Sequence, residues 1–315
     1  MMISVFTPTY NRADTLHRVY DSIAKQTIQD IEWIVVDDGS TDNTEDVINE
    51  FKKKSKFPIR YIKQSNNGKH IAFNRAVEVA QGEFFATVDS DDDFVSNAFE
   101  VMLKYWNAIP LENQNKFKGV TCRCYDPETG KTLGPIYKDP ILDVSELDAK
   151  FIYGFRYDLW GISRTEVLKK YKYPEILGGQ KSGLRYYPET IYWNNISRHY
   201  LTRYINEALC GYYKDQDNAL TGKTIRAKEN RYLWLHYINE VNDYFKYYPM
   251  LFIKACVGLA RDSYILSGSS GVKEATAIIK TKRMKCLYSV LSVLGVFLGK
   301  RYLNDKKQRE IKESN

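Results

Sequence analysis

Short apolar runs alternate with amphipathic stretches over about the first hundred positions. "ISVFT" (Ile3–Thr7), "EWIVVD" (Glu32–Asp37), "IRYIK" (Ile59–Lys63) and "EFFATV" (Glu83–Val88) read as buried strands. Between them, Leu16, Val19, Tyr20 and Ile23 recur at helical spacing, and so do Val47, Ile48 and Phe51. The second helix follows Ser40, Thr41, Asp42 and Asn43, all good N-cap residues, and a third is expected over Ile71–Ala80. Strands alternating with helices of this length imply an α/β domain whose parallel strands are joined by right-handed crossovers. Such sheets bind ligands beyond the carboxyl ends of their strands. Three of those ends are polar here: Pro8–Arg12, Asp37–Thr41 and Asp89–Asp93.

From Gly119 to about Tyr213 the pattern becomes irregular. A strand "GVTCRCY" and a turn "DPETGK" lead into loops rich in glycine and aromatic residues. After Ala227 the chain reads as helical, interrupted at Pro249, with a loop at Ser267–Gly271. The expected organisation is a strand–helix half (1–118), a second, irregular half of the same domain that shapes a second pocket (119–226) and a helical extension (227–315). Within the extension, Cys286–Gly299 carries no charge, and lysines and arginines stand on both sides of it. As a helix this segment is about 21 Å long, short of the ~30 Å hydrocarbon core, so it is expected not to span a bilayer. Leu287, Val290, Leu291, Leu294 and Leu298 form its apolar stripe. Two readings stand: an interfacial anchor on anionic lipid, or a terminal helix packed on the domain or on a second copy.

Composition changes this picture little. Of 315 residues, 43% are hydrophobic and 27% charged, which is ordinary for a soluble globular protein. The net charge of +7 suits polyanionic ligands or membrane surfaces, but no nucleic-acid-binding module accompanies it. Five cysteines without metal-ligand spacing fit reduced thiols in a cytoplasmic setting better than zinc or a disulfide framework. The N-terminus enters a strand pattern directly, without the profile of a secretory leader.

The chemistry concentrates in "DSDDD", Asp89 to Asp93, off the end of the fourth strand. An EF-hand frame fails, because its sixth position is Phe94 where that loop needs glycine. A solvated loop accounts for the charge but not for its place at the carboxyl edge of a sheet. A divalent cation, Mg²⁺ or Mn²⁺, held by one or two carboxylates and completed by a diphosphate, accounts for both.

Four segments carry a specific resemblance: "SVFTPTYNRADTL", "QTIQDIEWIVVDDGSTDNT", "NNGKHIAFNRA" and "GEFFATVDSDDDF". In this order and at these intervals they resemble the nucleotide-binding half of family 2 glycosyltransferases, inverting enzymes of GT-A fold. Tyr173–Tyr213 is similar to the acceptor half of bacterial members that build surface polysaccharides. The resemblance implies a Rossmann-like, mainly parallel sheet flanked by helices and a sugar moved from a nucleotide donor, uridine-linked by its base-reading aspartate. It also implies an acceptor hydroxyl on a glycan, and the apolar tail with its flanking cations adds the expectation of a lipid-linked saccharide at the cytoplasmic face.

By the same resemblance, Pro8 and Tyr10 wrap the nucleotide, Asp38 accepts from the base, and Asp37 is structural. Lys69 offsets diphosphate charge, with Arg75 as the alternative. Asp89 lies near the ribose, Asp91 holds the metal with Asp92 as an auxiliary ligand, and Asp93 is solvated. The general base, supplied in the family by a Glu-Asp pair, falls on Glu189. Thr190 replaces the aspartate, so Asp158 is the reserve. Trp160 and Trp193 are candidate sugar-stacking floors, with core packing as the alternative. The family's metal-binding histidine is missing from "YYKDQDNALT", leaving Asp215 or Asp217 as substitutes. His70, His199 and His236 read as satisfied structural residues. Two rival functions fit parts of the pattern: a nucleotidyltransferase, whose Gly-rich first loop is absent, and a non-catalytic glycan-binding protein.

Overall fold

Val5 and Phe6 are neighbours in sequence and face opposite sides of one sheet. The computed structural model describes residues 2–175, 187–213 and 226–313. The chain runs β1 (Ile3–Thr9), α1 (Leu16–Ala24), β2 (Ile31–Asp37), α2 (Thr44–Lys54), β3 (Ile59–Lys63), α3 (Lys69–Val79), β4 (Phe84–Thr87) and β5 (Asp93–Phe94). It continues with α4 (Ala98–Asn107), α5 (Leu111–Gln114), β6 (Phe117–Tyr125), β7 (Ile141–Val144), α6 (Glu146–Phe151), β8 (Leu159–Arg164), α7 (Thr165–Lys169), α8 (Glu189–Ser197) and β9 (Leu201–Gly211). The helices α9 (Ala227–Glu240), α10 (Pro249–Ile278) and α11 (Lys282–Glu313) follow.

The strand order is β3-β2-β1-β4-β8-β6-β9-β5, with β7 paired to β9. The first four strands are parallel, and their register aligns Thr9 with Asp37 and Asp37 with Lys63, while Phe6 pairs with Thr87. Their carboxyl ends therefore share one edge. Beyond β4 the sheet becomes mixed, because β8 runs antiparallel between β4 and β6 and so begins at that same edge. Strands β6 and β9 are parallel, with register shifts between them. This is the physical reason the region lacks a clean sequence period: its strands are paired across long separations and interrupted by bulges.

Alternation along the strands divides the core in two. Val5, Trp33 and Val35 pack with Leu16, Val19, Ile48 and Phe51 on one side. Phe6, Ile34, Val36 and Phe85 pack with Ala72, Phe73, Val77 and Val167 on the other. All five cysteines are free thiols, four buried and Cys286 exposed.

The chain divides into two compact units, one comprising Met1–Tyr187 with Tyr192–Leu220, the other Pro188–Ile191 with Thr221–Asn315. In the second, Asp262 is fully buried and accepts from the Trp234 indole at 2.9 Å while pairing with Arg261 at 2.7 Å. The loop expected at Ser267–Gly271 is narrower in the structure. Only Ser267 and Gly268 leave helical geometry, and α10 resumes to Ile278. The last helix is longer than the uncharged run that announces it. It continues to Glu313 because lysine, arginine, glutamine and glutamate are good helix formers. By length and composition alone, Lys282–Arg309 is long and apolar enough to cross a membrane, a longer stretch than the uncharged run Cys286–Gly299.

Candidate active site

The loops at the carboxyl edge hold one another. Asn11, with a positive φ of 51°, accepts from the Thr41 N–H at 2.8 Å through its side chain, and its own N–H donates to Ser40 Oγ at 2.9 Å. Asp42 accepts from the Ala13 N–H at 3.1 Å. The loops after β1 and β2 thus form one framework, and the exposed Tyr10 ring stands at its rim beside half-buried Pro8.

Both aspartates of "VDDGS" are tied down. Asp37 accepts from the Ser40 N–H at 2.7 Å and from the Tyr61 hydroxyl at 2.5 Å, a structural role. Asp38 Oδ1 accepts from Gln64 Nε2 at 2.7 Å and the Asn67 N–H at 2.8 Å, and Oδ2 from the Gly68 N–H at 2.9 Å. A carboxylate offers about four acceptor positions, so these bonds leave roughly one. Burial raises the Asp38 carboxyl above the usual carboxylate range, and its three hydrogen bonds offset only part of that rise. The turn it clamps passes through Gly68 at φ 94°, a conformation that favours glycine, and delivers Lys69 to the first position of α3.

Lys69 Nζ reaches Asp89 Oδ1 at 2.8 Å. Arg12, from the β1 loop, approaches Asp91 Oδ2 at 3.7 Å, and Arg18, from α1, donates to the Asp91 carbonyl at 3.0 Å. Arg12 and Arg18 are the participants that sequence reasoning passed over. Arginines flanking a surface helix carry no local mark, and only the sheet register brings them to the acidic loop. Arg18 also lies over the Tyr213 ring at 4.3 Å.

Tyr213 organises the far side. Its N–H donates to Asp92 Oδ1 at 3.1 Å and its hydroxyl to Asp93 Oδ2 at 3.0 Å. Asp93 is therefore not a solvated residue. It sits in β5 against β9, where Tyr125 and Tyr213 turn their hydroxyls toward it. Burial, then Asp89, pushes the Asp92 carboxyl up to about 8.

Trp160 is a core residue, which corrects its candidacy as a sugar floor. Its indole stacks on Phe94 at 5.3 Å and 13°, and its N–H donates to the Thr87 carbonyl at 2.8 Å. Trp193 packs edge-on against Phe73 and Tyr192. His70 is buried near Tyr173 and Tyr187, and among the described residues neither ring nitrogen has a hydrogen-bond partner. It is structural but not satisfied, and burial pushes it down to about 4, leaving the ring neutral.

The two base candidates differ in what positions them. Asp158 is exposed and precedes β8, which runs antiparallel to β4, so the register carries it to the edge bearing the acidic loop. Tyr212 senses the result: Asp158 is the first cause pushing its phenol up, ahead of burial and of Asp92, Asp89 and Asp91. Glu189 is exposed in the first turn of α8 and is grouped with the second unit. Arg75 lies on α3 away from its buried face. Asp215 and Asp217 lie outside the described residues.

Among the described residues no three His, Cys, Asp or Glu groups converge as a protein-only metal cage. Asp89 and Asp91 offer hard carboxylate oxygens, the donor chemistry that Mg²⁺ and Mn²⁺ accept from few protein ligands. The donor set fits a dication that takes most of its ligands from phosphate and water.

The sequence pattern of glycosyl transferase family 2 matches residues 4–113. Residues 4–113 belong to glycosyl transferase family 2. That span contains β1 to β4 and the whole acidic loop. An uncharacterised glycosyltransferase of Nostoc is 45% identical over 92 residues, 29% of this chain and 29% of that protein. The poly(ribitol-phosphate) beta-glucosyltransferase of Bacillus spizizenii is 34% identical over 161 residues, 49% of this chain and 24% of that protein. The matched segments thus span under a third of these two relatives' lengths. Crystalline S. aureus TarS, residues 1–349 in complex with UDP-GlcNAc, shares the fold with a TM-score of 0.66 at 16% identity. The likeness covers 97% of this chain and 92% of that one. The fold is thus of the GT-A type, as in TarS, with a helical C-terminal region.

Proposed function

We propose that this chain transfers a sugar, with inversion, from a UDP-linked donor to a hydroxyl of a glycan or lipid-linked saccharide in bacterial surface-polysaccharide synthesis. The observation that carries the reading is the opposition of Asp89 and Asp91 to Lys69, Arg12 and Arg18. Four separate elements deliver these charges to the carboxyl edge of the sheet. Similar proteins point the same way: S. aureus TarS crystallises in complex with UDP-GlcNAc, and the Bacillus relative is a poly(ribitol-phosphate) beta-glucosyltransferase.

In this reading the open acceptor position of Asp38 takes the ring N–H of the base, and Tyr10 covers its face. Asp89 meets the ribose, and Lys69 carries diphosphate charge. Asp91, with Asp92 beside it, would hold a dication, which when bound stabilises charge on the departing diphosphate. A carboxylate then takes the acceptor hydroxyl proton as that oxygen attacks the anomeric carbon. Glu189 holds this role by its place in the family pattern, and Asp158 is the alternative supported by the sheet register. A cytoplasmic location, where nucleotide sugars are at hand, completes the proposal.

The test is UDP release from a panel of donors with Mn²⁺ or Mg²⁺, in the parent and in Asp91→Asn. Release should fall at least about a hundredfold in the variant with the melting temperature unchanged. Equal release would remove the proposed metal role. Pyrophosphate released from a nucleoside triphosphate would assign the chain to nucleotidyl transfer, and no turnover of any donor would favour a binding protein. Glu189→Gln and Asp158→Asn separate the two bases, since only the true one loses transfer while keeping UDP affinity.

A further inference from the structure

One face of α11 is apolar, exposed and bounded by cations. Val290, Val293, Leu294 and Phe297 are 71%, 73%, 51% and 61% exposed, at the i, i+3, i+4, i+7 spacing of a single helical stripe. Arg283 and Arg301 lie on the same stripe, because separations of seven, eleven and eighteen residues return close to the same angle. They stand about 27 Å apart along the helix axis. Between Lys280 and Arg309 the sequence has nine basic residues and one acid, Asp305, which lies 3.9 Å from Arg301.

The opposite face is committed. Met284, Tyr288, Gly295 and Gly299 are buried, and a methyl group at Gly295 would lie 2.5 Å from the Val257 carbonyl and 2.6 Å from Ala260. The two glycines let α11 lie against α10 at backbone contact, and the stripe lies on the side left open. It differs from the stripe expected from sequence: Leu287, Leu291 and Leu298 are half-buried, while Val293 and Phe297 face outward.

We propose that this stripe docks on an anionic lipid surface, with α11 lying in the membrane plane. Its apolar residues would enter the headgroup boundary while the cations at both ends meet lipid phosphates. Charge decides against a second copy of the chain. A two-fold contact along the stripe sets Arg283 against Arg301 when antiparallel and each against itself when parallel, so cations meet either way. Contact with α10 decides against spanning, because α10 carries Lys254, Arg261, Asp262, Lys273 and Glu274 and would take those charges into hydrocarbon with α11.

The test uses the full chain with vesicles of phosphatidylcholine alone, or containing 30% phosphatidylglycerol as an order-of-magnitude choice for an anionic bilayer. Binding should be at least about tenfold stronger with the anionic lipid and should weaken as salt is raised. Val290→Ser, Val293→Ser, Leu294→Ser and Phe297→Ser combined change only exposed side chains and should reduce binding at least tenfold with the melting temperature kept. Lys300→Glu with Arg301→Glu should reduce it at least about twentyfold, since each cation near such a surface contributes roughly fivefold. The proposal is overturned if the parent stays in the supernatant with anionic vesicles, or if the four-serine variant binds as the parent does. It is also overturned if sedimentation velocity shows a dimer that the serines abolish, or if alkaline carbonate fails to extract the bound protein. None of these readouts needs a sugar donor, so their failure leaves the transfer reading standing.

Discussion

Replacing Lys69 by methionine separates a binding role from a folding one. The side chain is 28% exposed and its partner Asp89 47% exposed, at 2.8 Å. Ion pairs this open to water contribute about 0–1 kcal/mol, so losing this one should lower the melting temperature by no more than about 4 °C. A lysine facing a diphosphate makes a charge-assisted contact of about 1.5–3 kcal/mol, which corresponds to roughly 10- to 150-fold in affinity. Isothermal titration of Lys69→Met with UDP and Mg²⁺ should show that loss, while differential scanning calorimetry shows a nearly unmoved transition. Lys69→Arg should recover most of the affinity, because the charge and its mount on the Gly68 turn persist. UDP affinity within twofold of the parent would refute the argument. So would a loss accompanied by a drop of more than about 5 °C, which would mean that Lys69 acts through the fold.

Three further outcomes follow from packing and protonation. Trp160→Ala should cost about 3–5 kcal/mol in urea unfolding, whereas Trp160→Phe should keep the donor KM, since the ring packs on Phe94 and not on a sugar. Asp92, held up near 8, is protonated in the folded protein below that pH, so its contribution to stability is present below pH 4 and fades as pH rises toward 8. Asp92→Asn should remove this slope, a change of about 1–3 kcal/mol across the interval once solvent screening is included, read as melting temperature against pH. Gly295→Leu should destabilise the helical unit by about 1–3 kcal/mol, seen as a lower urea midpoint, because its first added carbon meets the Val257 carbonyl.

The edge that bears the site was legible because two local signals agreed there. Fully apolar runs marked the parallel strands, and polar residues that cannot continue them marked their carboxyl ends. Register then did the rest, aligning Thr9, Asp37 and Lys63 without further information. What escaped the sequence was every partner supplied from a distance. Asp93 looked solvated because its tyrosines lie 32 and 120 residues away, and Arg18 went unmarked because its acceptor is 73 residues on. His70 shows the same limit from the other side: helical spacing reveals that a residue is buried, not whether its nitrogens find a donor or acceptor.

Trp160 stayed open between two readings, and the stripe of α11 was misplaced, for opposite reasons. An indole at a sheet edge carries the same letter whether it faces a sugar or Phe94, and only the antiparallel return of β8 decides. For α11 the uncharged run was visible, but its rotation was not, since its only serines, Ser289 and Ser292, turn their hydroxyls back onto the helix's own carbonyls and no charge marks a wet face. Gly295 and Gly299 set it instead, by admitting α10 where any side chain would hold it off. The same two residues that fix the helix on the protein thereby choose which apolar residues are left outside. The exposed stripe is thus a consequence of close packing on the opposite side rather than of a failure to bury it.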